Sequence, residues 1–182
     1  MKYFLPVFLL FFLSCNQEPI SIYSNIDGLN HEEILNGPET LEKHSLELIY
    51  KIDTTISKEN FKLLIEALNK SSEELSPYYF NALTFYCNNL KINQKLELEA
   101  ALFNYFIHHP KSYISNIKKM EIQYSDCFLN NISSYIQEYL SQNEITIISM
   151  KNLAYKYCRG CSNEEIKFIY DYLDLSNNFQ KE

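Results

Sequence analysis

The chain reads as an all-α protein, on three observations. Apolar residues recur at helical spacing, helix breakers fall between those runs, and no stretch sustains the alternation of a half-buried strand. Phe61, Leu64, Ile65 and Leu68 share one helix face, as do Phe80, Leu83, Cys87 and Leu90. Phe128, Leu129, Ile132, Tyr135, Ile136 and Tyr139 form a third such face. The best strand candidate, Ile145 to Ile148, fits a helix equally well.

Eight short helices follow, over 39–52, 58–70, 77–90, 93–108, 110–119, 125–140, 144–158 and 163–174. Pro38, Pro77 and Pro110 each stand where a helical pattern begins, a position that has no use for the N–H proline lacks. Ser76 is placed to cap the helix at Pro77, and Ser162 with Glu165 has capping-box spacing. Gly160 marks a turn. From Leu96 to Ile107 the pattern is apolar on nearly all sides, which puts this helix at the centre of the fold. The helices pair in sequence as antiparallel hairpins over 38–70, 77–108, 110–140 and 144–174. Units of that length suit a short α-solenoid-like array, and their lack of shared sequence suits an irregular bundle.

Composition excludes several functions. The formal charge of −7 argues against a nucleic-acid partner, whose affinity rests largely on Lys and Arg at phosphates. Arg159 is the sole arginine, so no site clamps an anion with several guanidinium groups. Fifteen tyrosines and no tryptophan, beside abundant Ile, Asn and Lys, fit an AT-rich coding bias rather than a stacking surface.

The first residues carry the clearest signal. Lys2 precedes an apolar run from Phe4 to Leu13, and small Ser14 stands directly before Cys15. This order is that of a secretory signal, and its run of about ten residues is half the ~20 that span a bilayer. Leu13-Ser14-Cys15 resembles the lipobox of bacterial lipoproteins, in a phenylalanine-rich form similar to those of Bacteroidetes. The resemblance implies cleavage before Cys15, lipid on its thiol, and a place in the outer membrane facing the periplasm. With the weak periodicity and the Pro19, Gly28 and Gly37 of the following stretch, the chain divides into four segments: signal 1–14, lipidated Cys15 and an extended tether to 37, one helical domain over 38–176, and a polar tail over 177–182. Two or more acyl chains would make membrane attachment stable rather than reversible.

Cys87, Cys127, Cys158 and Cys161 remain in the domain as candidates for disulfides or buried thiols, with three connectivities open. Cys158-Arg-Gly-Cys161 has redox spacing, but it ends a helix, whereas thioredoxin-like sites stand at a strand-to-helix junction. A zinc site would need two more ligands brought in by folding. His108 and His109 diverge by about 100° on a helix and suit local capping better than chelation. His31 falls in the tether and His44 on the first helix, neither with a partner at metal-binding spacing. The pairs Glu32-Glu33, Glu73-Glu74 and Glu164-Glu165 suit helix N-termini, and Glu97 and Glu99 suit a solvated end of the central helix.

No catalytic residue, metal site or cofactor beyond the lipid on Cys15 is read from the chain. The expectation is a lipid-anchored protein that binds another envelope protein without catalysis. A protective protein that captures a toxin is one alternative, and a redox or metal-dependent protein using Cys158 and Cys161 is another.

Overall fold

Helix α5 (Ile92–His108) organises the architecture, because its largely apolar surface needs several neighbours to cover it, although Leu96 and Asn104 stay exposed. Leu98, Leu102, Phe106 and Ile107 are fully buried along it. Its neighbours are α3 (Lys58–Lys70), α6 (Pro110–Lys119), α7 (Ile122–Tyr135) and α8 (Ile147–Tyr157). The remaining helices are α1 (His31–Asn36), α2 (Leu41–Ile49), α4 (Ser76–Ala82) and α9 (Asn163–Asn178). This computed structural model describes residues 29–178 apart from 56, 73, 90, 91 and 144. Among the described residues there are nine α-helices and no strand, so the class is all-α.

Helices α8 and α9 pack together as a hairpin, while α5 packs chiefly on α3, α7 and α8, and α2 on α4. Most of these contacts join neighbouring hairpins, as in a short helical array, but α5 against α8 skips a hairpin and closes the packing as an irregular bundle does. In a solenoid each unit would touch only its neighbours.

The centre is aromatic. The Phe80 ring lies 4.8 Å from Phe128, 5.5 Å from Tyr105 and 5.5 Å from Tyr113, in tilted or edge-on contact. Phe106 joins Tyr113 to Tyr172, so rings from α4, α5, α6, α7 and α9 meet at one point. The Tyr113 and Tyr172 hydroxyls are 2.6 Å apart, which satisfies two buried polar groups from within the core. Burial pushes the Tyr113 phenol well above its usual range, so it stays neutral.

Several local signals hold and several move. Ser162 and Glu165 make both capping-box bonds, with Ser162 N–H donating to Glu165 at 2.7 Å and Glu165 N–H to Ser162 Oγ at 3.2 Å. Pro110 opens α6. Pro38, however, opens no helix; Thr40 caps α2 by accepting from the Lys43 N–H. Ser76 is the first residue inside α4 rather than its N-cap, and its buried Oγ accepts from Tyr105 OH at 3.0 Å. The helix expected over 77–90 tightens into a 3₁₀ segment at Leu83–Asn88, and α7 widens into a π-turn at Ile136–Leu140.

The largest departure is at the start of the domain. Residues read as the end of an extended tether form α1, capped by Asn30. His31 explains why: its imidazole bridges Tyr50 OH at 2.5 Å and Tyr78 OH at 2.9 Å. Tyr78 is 47 residues away in sequence, so no local pattern announces that partner. The helical domain begins at least by residue 30 rather than 38, and α9 extends to Asn178, into what reads as the tail.

Candidate functional site

The four domain cysteines form two bridges, Cys87–Cys127 and Cys158–Cys161. They differ in what they hold. Cys87–Cys127 joins the 3₁₀ segment after α4 to α7 across 40 residues of sequence. Loop-closure entropy gives a bridge of that span about 4 kcal/mol of stabilisation, and about 2 kcal/mol for the separation of three between Cys158 and Cys161.

The second bridge sits on a turn that other bonds already form. Cys158 ends α8, Gly160 adopts φ +82°, and the Cys161 N–H donates to the Cys158 carbonyl at 3.1 Å. The Ser162–Glu165 capping box then starts α9. Cys158 is only 6% exposed, whereas Cys161 is partly exposed between exposed Gly160 and Ser162.

Leading into this turn, α8 is sparsely covered along its eleven residues. Only Met150 and Ala154 are buried on it. Ile148 is 67% exposed and Tyr155 59% exposed, two turns apart and therefore on one outward face. Leu153 and Tyr157 form a second exposed stripe four residues apart, and Ile145 precedes the helix in the open. Isolated exposed apolar residues are ordinary; several on one short helix are not. No acidic residue occurs from Ile145 to Cys161, while Lys151, Lys156 and Arg159 do. Lys151 is engaged with Asp174 of α9 at 2.6 Å, which leaves Lys156 and Arg159 as the exposed cations of this edge.

The other sequence candidates do not converge on this edge as a reactive set. His108 lies nearest: its Nδ1 bonds the Asn104 carbonyl at 2.9 Å and its ring meets Tyr157 edge-on at 4.6 Å. His109 turns away and stacks on Tyr105. His44 is half-buried on α2, where burial lowers its pKa. Among the described residues, no three His, Cys, Asp or Glu side chains gather as they would around a metal. A groove of about 520 Å³ between α3 and α5 is floored by Ile65, Ala100 and Ala101 and edged by Glu66, Lys70 and Glu97.

Glu99 departs from its expected solvation. It is 3% exposed on α5, facing Ser134 of α7, with Lys95 Nζ 3.5 Å from its carboxylate. Burial raises its pKa against the pull of Lys95 and Ser134. Sequence spacing gave one hint, since Leu98 and Leu102 flank the same buried side of the helix.

Residues Lys2 to Ser14 and the proposed lipid attachment point Cys15 lie outside the described residues, as do Glu73 and Leu90. No described helix is long and apolar enough to cross a membrane. No protein family model, curated protein or solved structure matches the chain.

Proposed function

We propose that the chain is a lipid-anchored cell-envelope protein that works as a non-catalytic interaction module, with α8 as its docking face. The observation that carries this reading is the outward face of α8, where Ile148 and Tyr155 are exposed on a helix with no acid along it. The partner that fits is a protein with an apolar patch edged by carboxylates, because Lys156 and Arg159 border the aromatic surface. Aromatic residues and arginine concentrate the energy of protein interfaces, so Tyr155, Tyr157 and Arg159 are the residues to lose. The anchor at Cys15 would hold this face close to membrane-bound partners and raise their effective concentration.

A photo-reactive residue placed at Ile148 in intact cells tests the docking face. Ile122, 78% exposed on α7, serves as the control position. A discrete adduct from position 148 that disappears with Tyr155→Asp supports the reading. Equal adducts from positions 148 and 122, or an adduct untouched by Tyr155→Asp, would overturn it. For the anchor, Cys15→Ser should abolish incorporation of labelled fatty acid, and unchanged labelling would remove the lipid from the account.

A further inference from the structure

The geometry points to Cys158–Cys161 as an exchangeable disulfide that takes two electrons from a protein dithiol, with Cys161 the sulfur under attack. This goes beyond binding and stands independently of the docking face.

Three features carry it. The turn is held by more than the bridge: the Cys161 N–H to Cys158 carbonyl bond, the left-handed Gly160 and the Ser162–Glu165 box all fix it. Disulfide and dithiol forms therefore fit one backbone, as a bridge that cycles requires. The two sulfurs are also unequal in access, with Cys158 buried and Cys161 partly exposed. Finally, they occupy opposite helix poles. Cys161 lies just ahead of the positive end of the 16-residue α9, two residues after Arg159 in the chain, and Cys158 lies at the negative end of α8. Glu164 opposes a thiolate at Cys161, while the Glu165 carboxylate is occupied by the Ser162 N–H.

The exchange balances without another oxidant. A partner thiolate attacks Cys161 Sγ, the Cys161–Cys158 bond breaks, and Cys158 leaves as a thiolate that takes a proton from water. The partner's second thiolate then attacks its own sulfur in the mixed disulfide and expels Cys161 as a thiolate. The partner dithiol is oxidised to a disulfide, and Cys158 with Cys161 is reduced to a dithiol.

Single substitutions in the full chain, purified in detergent and exposed to oxidised glutathione, test the asymmetry. In Cys158→Ser the remaining Cys161 should form its glutathione adduct at least about tenfold faster than Cys158 does in Cys161→Ser. Both variants should keep the far-UV spectrum of the parent. The unaltered chain should also oxidise a synthetic peptide carrying two thiols, while the double serine variant leaves it reduced. Equal adduct rates, adducts formed only in denaturant, or a peptide left reduced by the unaltered chain would each overturn the assignment.

Discussion

The two disulfides stand in regions built on different terms. Cys87–Cys127 ties the segment after α4 to α7, beside the point where Phe80 and Phe128 meet at 4.8 Å. Cys158–Cys161 closes a turn at the rim, below a helix that leaves Ile148 and Tyr155 in the open. The first bridge spans enough chain to restrain the unfolded state strongly, and the second restrains little that the turn does not already restrain. The contrast separates a body that holds the fold from an edge that is free to act.

The sharpest way to break this contrast is to damage each region and compare. Phe80→Ala should cost about 3–5 kcal/mol, because Phe80 is fully buried among rings from three other helices. Tyr155→Ala, at 59% exposure, should stay within about 0.5 kcal/mol. Urea unfolding of both variants measures the difference, and comparable losses would erase it. Next in size, replacing Cys87 and Cys127 together by serine should cost about 2–4 kcal/mol, readable as a fall in the urea midpoint. Replacing Cys158 and Cys161 should cost less than half as much by the same assay.

Smaller effects refine the picture inside the body. Tyr113→Phe removes one partner of the 2.6 Å hydroxyl pair and strands the Tyr172 hydroxyl in the core, for about 1–2 kcal/mol. Glu99→Gln should stabilise the protein at neutral pH by about 1 kcal/mol, since the carboxylate is buried more deeply than Lys95 can offset. The sign follows from the raised pKa of Glu99 in the folded state. Between the unfolded and folded values the folded protein binds more protons, so stability falls as pH rises through that window. The penalty is complete above the folded value and absent below the ordinary carboxylate range. Unfolding curves for parent and variant should converge in acid and diverge toward neutrality; a constant gap would refute the assignment to ionisation.

Much of the body is legible in the sequence. The faces at Phe61, Leu64 and Leu68 and at Phe128 and Ile132 are buried, and the all-round apolar pattern of α5 marks it as the centre. The capping box at Ser162 and Glu165 forms because every group it needs lies within four residues. What stays hidden depends on distant partners. His31 meets Tyr78 only where α1, α2 and α4 pack together, and Ser76, one residue inside α4, turns its hydroxyl to Tyr105, 29 residues away. The exposed face of α8 is hidden for a different reason. Periodicity shows that Ile148, Leu153 and Tyr155 are apolar on a helix, but Met150 and Ala154 form a competing face, and only packing decides which is buried.

A stepwise reduction of the native chain tests the division between body and edge most directly. Dithiothreitol is raised under native conditions, free thiols are alkylated, and the modified cysteines are located by mass spectrometry while the far-UV spectrum is followed. The account predicts a first species alkylated only at Cys158 and Cys161 that keeps its full helical signal, with Cys87–Cys127 opening later. Simultaneous opening of both bridges, or loss of helix as Cys158–Cys161 opens, would contradict it.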